Sequence, residues 1–285
     1  MAAARELVAG VRDLVSLPEA YLKIRSLVDD PQSTTEDFAR AVQLDPGLAA
    51  RLLRIANSAF FGVARRVETI SLAVNLMGIA RLHDLVLTTT VIGTFDRLAT
   101  SGVDLGRFWS HSLHAGIIAR MLAGSAGVFD SERLFVGGLL HDIGYLVMHV
   151  AAPEPCHAAL ERSRTTGEAL ASCERDLLGC DRAEVGAELM RVWQFPPGLI
   201  AMCAYQAAPW HGGEHARECA LVHAARAMAA TLDADPVARD PLTGCDPRAL
   251  ELARLDGIAL QEIAAESRQH LADAVEMLLH QRHAA

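Results

Sequence analysis

The sequence predicts an all-α protein built as a helical bundle, and two observations lead to that fold class. Between breaks marked by Gly and Pro, apolar residues recur at intervals of three and four, which is the helical period. No segment shows a convincing alternation of apolar and polar residues, as a half-buried strand would. Because 51% of the 285 residues are hydrophobic, the chain can bury a sizeable core. We therefore expect one large helical domain or two closely associated ones.

Two short helices are predicted near the N-terminus from the residues that begin them. The segment STTEDFARAVQLD starts with Ser33 or Thr34 in a capping position. The segment DPGLAARLLRIANS follows, with Asp45 as N-cap and Pro46 at the first helical position. Each segment carries apolar residues along one face, so the two helices are expected to pack against each other.

The remaining segments extend this pattern to a closing helix. Residues 17–100 form an N-terminal set of short helices that ends in GIARLHDLVLTTTVIGTF, and residues 104–232 form a second helical half packed on it. Residues 1–16 are predicted to be an N-terminal extension. Residues 233–285 contain a linker rich in Asp, Pro and Gly, followed by an amphipathic helix from about Ile258 to Gln281. No repeat of fixed period is visible, which excludes a solenoid.

Composition and charge argue against several classes of partner and compartment. Lys and Arg total 26 against 35 Asp and Glu, a net charge of -9, and no basic block suggests a nucleic-acid binder. The six cysteines are far apart and the N-terminus has no export signal, as in a cytoplasmic protein with reduced thiols. The apolar stretch 134–152 has a charged pair at its centre, which would be costly in lipid. We expect a cytoplasmic protein that binds neither nucleic acid nor membrane.

The segment GGLLHDIG places His141 and Asp142 side by side in otherwise apolar surroundings. Imidazole and carboxylate groups both bind divalent metals, and neighbouring residues on one helix point about 100° apart, so both could reach one ion. A catalytic metal centre needs a further ligand and an open position for water. The alternative is a structural pair, with His141 bonded to a backbone carbonyl and Asp142 to a helix N-terminus or an arginine. His111 could add a ligand, because it lies about 30 residues earlier, a suitable distance for two consecutive antiparallel helices.

These residues and several other segments resemble a known family. His111 followed by GGLLHDIG resembles the first histidine and the His-Asp doublet of the HD superfamily of metal-dependent phosphohydrolases. Further segments occur in the order seen in the HDOD family, the HD-related output domains of bacterial signalling: SLPEAYLKIRSLVDD, LAARLLRIANSAFFG, RVETISLAVNLMGIARLHDLVL, FWSHSL, AEVGAELMRVWQFPPGLIAM and LVHAARAMA. The resemblance covers residues 17–232. It implies an all-helical domain with an HD-like C-terminal half that regulates or scaffolds signalling, commonly without demonstrated enzymatic activity.

The chain departs from the ligand pattern that the resemblance implies. Family members that keep more of the ancestral site have HAEVG where this chain has RAEVG, which places Arg182 at a ligand position. Two consecutive histidines are replaced by Tyr205 and Gln206, and the position of the last aspartate is matched by Arg226. The lysine that follows the doublet in the related HD-GYP phosphodiesterases is Tyr145 here, and no Gly-Tyr-Pro segment occurs. That phosphodiesterase activity is therefore not expected.

These departures predict a degenerate site that has no cofactor and no metal. Arg182, and Arg226 if it lies near, would repel a divalent ion. The planar guanidinium of Arg182 could instead take the carboxylate of Asp142 bidentately and replace the metal charge. We therefore expect a non-catalytic signalling module whose partners are signalling proteins or a second copy of itself. The alternative is a metal-dependent phosphohydrolase of nucleotides or phosphate esters, with the metal on His111, His141 and Asp142 and Arg182 on the substrate phosphate.

Overall fold

The computed structural model describes residues 2–28, 30, 32–57, 66–96, 98, 102–128, 130–236, 238–255 and 258–278. These residues form helices and connecting turns and contain no strand, so the predicted all-α class is confirmed. The α-helices are α1 Ala2–Val11, α2 Glu19–Val28, α3 Thr35–Gln43, α4 Pro46–Ala56, α5 Ile70–Met77, α6 Ile79–Asp96, α7 Leu105–Ser125, α8 Ser131–Leu140, α9 Ile143–Ala151, α10 Pro153–Thr166, α11 Leu170–Leu178, α12 Arg182–Val192, α13 Pro197–Ala204, α14 Ala216–Ala234, α15 Pro247–Ala253 and α16 Leu260–Leu278. The predicted end of the closing helix, Gln281, lies outside the described residues.

The chain divides into two compact units. Met1–Ser16 and Phe95–Ala265 form the first unit, and Leu17–Thr94 and Glu266–Ala285 form the second. The segment that was predicted as an N-terminal extension therefore groups with the helices that follow residue 95. The candidate site lies entirely in the first unit.

The second unit contains the two capped helices predicted from the sequence. Thr34 caps α3, and its side chain and that of Asp37 form a reciprocal capping box. Asp45 caps α4 by accepting a hydrogen bond from the amide of Leu48, and Pro46 occupies the first helical position. α3 packs against α2, α4 and α5 through fully buried side chains that include Phe38. The predicted contact between α3 and α4 is thus confirmed.

The first unit is built around α7. Its buried face includes Trp109, Leu113 and Ile117, and it packs mainly against α8 and α14. α1 packs against α9 and α12. Nε1 of Trp193 donates a hydrogen bond to the carbonyl oxygen of Val15 at 3.0 Å, which fixes the N-terminal segment to the end of α12. Five of the six cysteines are buried and all are free thiols.

Among the described residues, one stretch, Ser131–Ala151, is long and apolar enough to cross a membrane. Of its most apolar part, 78% is buried inside the protein, as in a core helix. A second apolar pair, Ile70–Met77 and Ile79–Asp96, is bent by 120°. The buried stretch is therefore better explained as a core element than as a membrane span.

Candidate functional site

The His141–Asp142 doublet lies at a break between two helices. α8 ends at Leu140, His141 follows as its C-cap residue, and Asp142 holds the N-cap position of α9 with φ −112° and ψ 19°. The expectation that both residues share one helix is therefore wrong. Because the helical backbone is interrupted at Asp142, the two side chains do not keep the spacing of neighbours on one helix.

Two glycines beside the doublet let the neighbouring helices approach it closely. A Cβ on Gly138 of α8 would lie 2.7 Å from a carbonyl oxygen of α7. A Cβ on Gly144 of α9 would overlap the carbonyl oxygen of Arg182 and lie 2.5 Å from the amide nitrogen of Gly186 in α12. Any larger residue would force the helices apart. These two crossings hold α7, which carries His111, and the start of α12 next to the doublet.

His141 is a buried, neutral imidazole. Its Nδ1–H donates to the carbonyl oxygen of Gly138 at 2.7 Å, which leaves the lone pair on Nε2. Burial lowers the pKa of His141 to about 4, although the neighbouring Asp142 acts in the opposite direction. The backbone carbonyl of His141 accepts hydrogen bonds from Nε2 of Gln206 and, at 3.4 Å, from Sγ of Cys203. Gln206 therefore fixes the backbone of the doublet.

Arg182 joins the doublet to α11. Its Nη1 donates to Oδ2 of Asp142 at 3.0 Å, while Nε and Nη2 donate to Oε1 of Glu174 at 2.9 and 2.6 Å. The predicted contact with Asp142 is present, but the bidentate geometry is wrong, because Glu174 takes the other two nitrogens. Burial acts to lower the pKa of Arg182, but the two carboxylates have the larger effect and raise this pKa above its usual value. The guanidinium carbon also lies 4.8 Å from the centre of the Tyr145 ring, in a cation–π contact.

Glu174 is a site residue that the sequence analysis missed. Its side chain is only 4% exposed, and Oε2 also accepts a hydrogen bond from the backbone amide of Arg182 at 3.2 Å. This carboxylate therefore binds both the side chain and the first amide of α12, where the helix dipole favours negative charge. The sequence signal was weak, because nothing in the short helix LASCERDLL distinguishes a buried glutamate from an exposed one.

Asp233 is a second carboxylate that the sequence analysis missed. Its Oδ2 accepts a hydrogen bond from Nδ1 of His111 at 2.7 Å, and its Oδ1 accepts one from Nδ1 of His114 at 2.8 Å. Burial acts to raise the pKa of Asp233, but the bonds to the two histidines outweigh it and lower the pKa. Asp233 lies seven residues after Arg226, so the two share a face of α14. This spacing was the signal in the sequence that could have identified Asp233 as a site residue.

Arg226 places a second cation near the doublet. Burial lowers its pKa, Asp142 opposes this shift, and Arg182 adds to it. Within the described residues, the buried Nε of Arg226 has no hydrogen-bond partner. The same holds for Oδ1 of Asp142, whose other oxygen is bonded to Arg182. Arg182 therefore contacts the carboxylate of the doublet, and Arg226 interacts with it electrostatically.

Tyr205 is the predicted site residue whose side chain lies apart from the others. It follows the last turn of α13 and is 39% exposed. Across the described part of the chain, no hydrogen bond, ion pair or ring contact joins its side chain to the other site residues. His111 and His141, by contrast, have ring centres 5.7 Å apart. The structure thus brings together the predicted residues other than Tyr205.

The side chains do not fit a metal ion as they are arranged. Within the ranges that the structure describes, no group of three or more His, Cys, Asp and Glu side chains could hold one. Asp142 is bonded to Arg182 and His111 to Asp233, and two guanidinium groups would repel a divalent cation. The arrangement is a network of ion pairs and hydrogen bonds.

Two of the cavities share His111 as a lining residue. One has a volume of about 710 Å³ and is formed by α14 and the segment around residues 235–244, with Arg226 and Arg239 in its wall. The other has a volume of about 400 Å³ and contains Asp142 and Arg182. His111 lines both cavities. Residues of the polar network therefore line both cavities.

Comparison with known proteins identifies related structures. A solved structure from Shewanella amazonensis SB2B, whose name suggests a phosphohydrolase, is 30% identical, with a TM-score of 0.75 over 95% of this chain and 96% of that one. An HDOD domain protein of unknown function from Geobacter sulfurreducens is 24% identical, with a TM-score of 0.72 over 98% of both chains. A Marinobacter aquaeolei VT8 protein whose name suggests signal transduction is 21% identical, with a TM-score of 0.67 over 98% of this chain and 65% of that one. The Geobacter and Marinobacter structures are less than 25% identical to this chain, so their similarity supports the fold alone.

The sequence comparisons agree with the structural ones. An uncharacterized protein of Treponema pallidum (strain Nichols) is 27% identical over 194 residues, which are 67% of this chain and 37% of that protein. The chain thus spans little more than a third of that relative. The family model described as the HDOD domain matches residues 14–209, well over half of the chain. The family predicted from the sequence is confirmed, and the chain belongs to the HDOD domain family.

Proposed function

We propose that this protein is a non-catalytic regulatory module of signal transduction that acts through protein–protein interaction. The observation that carries the proposal is the hydrogen bond between Arg182 and Asp142, because it places a guanidinium group on the carboxylate that a metal would need. Membership of the HDOD family and the name of the Marinobacter relative are consistent with a signalling role. The partners would be signalling proteins or a second copy of this chain, in the cytoplasm, with neither nucleic acid nor membrane involved.

The degenerate site would serve this module as a structural core. Arg182 connects α9, α11 and α12 through Asp142 and Glu174, and Asp233 connects α7 to the end of α14 through His111. A metal ion on the free Oδ1 of Asp142 would lie beside the guanidinium group of Arg182, which is bonded to Oδ2 of the same carboxylate. The two positive charges would repel each other. The network therefore favours the metal-free state.

The alternative is a metal-dependent phosphohydrolase that acts on nucleotides or phosphate esters. The name of the Shewanella relative and the proximity of His111 and His141 favour it. In that reaction Arg182 would have to bind the substrate phosphate. Three of its five N–H donors already donate to Asp142 and Glu174, so a substrate phosphate would compete with two carboxylates for this guanidinium. This is the main argument against the enzyme.

Metal content and hydrolysis distinguish the two functions. The protein would be purified without chelator and assayed for iron, manganese and zinc by mass spectrometry, and for hydrolysis of bis(p-nitrophenyl) phosphate with added manganese. We expect substoichiometric metal and no turnover above that of a His141→Ala variant. Stoichiometric metal that is lost in His141→Ala, or metal-dependent turnover that His141→Ala abolishes while the circular dichroism spectrum is unchanged, would overturn the proposal.

A further inference from the structure

His223 lies in the interior of the first unit and joins three parts of it. This residue of α14 is only 5% exposed. Its Nδ1–H donates a hydrogen bond to the backbone carbonyl oxygen of Gln206 at 2.6 Å. Its Nε2 accepts one at 3.2 Å from the backbone amide of Asp246, the residue that caps α15. One imidazole therefore connects α14 to the turn that follows α13 and to the start of α15.

Only one form of this imidazole can make both hydrogen bonds. The neutral tautomer with its proton on Nδ1 has a donor for Gln206 and a lone pair for the amide of Asp246. Protonation puts a second N–H on Nε2, which then faces the amide N–H of Asp246 instead of accepting from it. The bond to Asp246 is therefore lost on protonation, whereas the bond to Gln206 is kept.

The surroundings of His223 keep its ring neutral at neutral pH. Burial has the largest effect and lowers the pKa of His223 below 6.5, and the charge of Arg226, one turn further along α14, adds to this shift. The bond to Gln206 and the charge of Asp246 act in the opposite direction. The bond to the amide of Asp246 is therefore fully present above pH 6.5 and is lost as the pH falls through the lowered pKa.

The protonated ring would also compete for the cap of α15. In the neutral state Oδ1 of Asp246 accepts a hydrogen bond from the backbone amide of Arg248 at 2.8 Å. An imidazolium N–H beside Asp246 offers the same carboxylate a charge-assisted hydrogen bond, which is stronger than a bond to a neutral amide. Protonation of His223 therefore weakens both the backbone bond and the capping bond of Asp246.

The residues that precede Asp246 form one wall of the cavity of about 710 Å³. We call residues 238–246 the connecting segment. Its lining residues are Ala238, Arg239, Asp240, Thr243 and Gly244. Thr231 holds the segment through a hydrogen bond from its hydroxyl to the carbonyl oxygen of Thr243 at 3.2 Å, and Gln261 holds it through a bond from Nε2 to the carbonyl oxygen of Arg239. Both bonds are exposed to solvent, so His223 provides the most buried of these three attachments.

We propose that His223 is a pH-sensitive latch that holds the connecting segment against α14 and releases it in acid. At neutral pH the neutral ring anchors Asp246 and fixes the wall of the cavity. In acid the segment keeps only its two exposed attachments, so the cavity becomes more accessible. This inference goes beyond the regulatory role and does not depend on it, but it would give a regulatory module a response to acid.

Amide hydrogen exchange of the full chain, followed by mass spectrometry, tests the latch. Protection factors of peptides that cover residues 238–250 are compared at about pH 7.5 and about pH 5, because protection factors exclude the intrinsic effect of pH on exchange. The exchange of α12, a helix of the same unit, reports on opening of the unit as a whole. We expect protection of residues 238–250 to fall at least about threefold more than that of α12, as the loss of one hydrogen bond predicts.

Two buried histidines provide a matched pair of variants. The test variant is His223→Gln, whose amide group keeps a donor and an acceptor but does not titrate. The control is His149→Gln, because His149 is also buried with a lowered pKa and donates from Nδ1 to a backbone carbonyl oxygen. Within the described residues Nε2 of His149 has no partner to lose. The extra fall in protection at residues 238–250 should vanish in His223→Gln and persist in His149→Gln.

Three results would overturn the proposal. These are an equal change of protection in residues 238–250 and in α12 of the wild type, the same extra fall in His223→Gln, and loss of the extra fall in His149→Gln. If His223→Gln does not fold, nuclear magnetic resonance of the wild type replaces it. The amide proton of Asp246 should then shift with the same pKa as the ring of His223, and an amide that does not follow the ring would refute the latch.

Discussion

Replacing Arg182 with alanine would leave the buried Glu174 and the partly buried Asp142 without their shared cation. Three side-chain hydrogen bonds would be lost, one to Asp142 and two to Glu174. The exposed fractions of the side chains are 21% for Arg182, 18% for Asp142 and 4% for Glu174, so water could replace the lost donors only in part. Removing one partner from a buried ion pair typically costs about 3–5 kcal/mol. We expect Arg182→Ala to lower the free energy of unfolding by that amount.

Urea denaturation followed by circular dichroism measures this loss against a matched control. Arg191 lies on the same helix, is 47% exposed and pairs with Glu188 at 2.9 Å, so Arg191→Ala should cost no more than about 1 kcal/mol. Adding Glu174→Gln to Arg182→Ala should restore part of the stability, since it removes an uncompensated buried charge. A loss in Arg182→Ala as small as that in the control would show that the network does not hold the unit together.

Three further changes test other parts of the structure, each by urea denaturation. Gly144→Ala should lower the free energy of unfolding by about 1–3 kcal/mol or more, because the added Cβ would overlap the backbone of α12. Gly10→Ala is the control: no atom lies within 4 Å of its added Cβ, so this change should not destabilise the protein. Burial lowers the pKa of His223 below 6.5, so the unfolded chain binds a proton at this histidine more readily than the folded chain does. The stability that the neutral His223 contributes is therefore present above pH 6.5 and is lost as the pH falls. The loss is up to about 1.4 kcal/mol per pH unit. His223→Gln should flatten that part of the pH profile, and an unchanged slope would contradict the assignment. Asp233→Asn should cost about 1–3 kcal/mol, because the buried His114 loses its charged partner; a variant as stable as the wild type would show that this pair is not structural.

Much of the site could be predicted because its residues are marked by motif and spacing. The doublet, His111 and the two arginines at ligand positions were all identified from segments whose order matches the family. The helices of the second unit were predictable from local signals, since a cap such as Asp45 is recognised from its immediate neighbours.

The missed features depend on tertiary approach. Asp233 meets His111 across 122 positions of sequence, and no local pattern shows such a contact. The bidentate pairing of Arg182 with Asp142 was wrong because Glu174 competes for the same guanidinium after α11 folds back beside α12. The break at the doublet was missed because hydrophobic periodicity continues through it, so apolar spacing alone makes α8 and α9 look like one helix.

At the crossing of α9 and α12, the spacing of the helices does not depend on which side chain stands at position 182. Gly144 contacts the backbone atoms of Arg182 and Gly186, so the position of α12 is set without reference to the side chain at position 182. The side chain at that position could be a metal-binding histidine or a guanidinium while the two helices keep the same separation. A fold with such a crossing can lose or acquire ligands one substitution at a time, and relatives with different chemistry at this site can share one architecture.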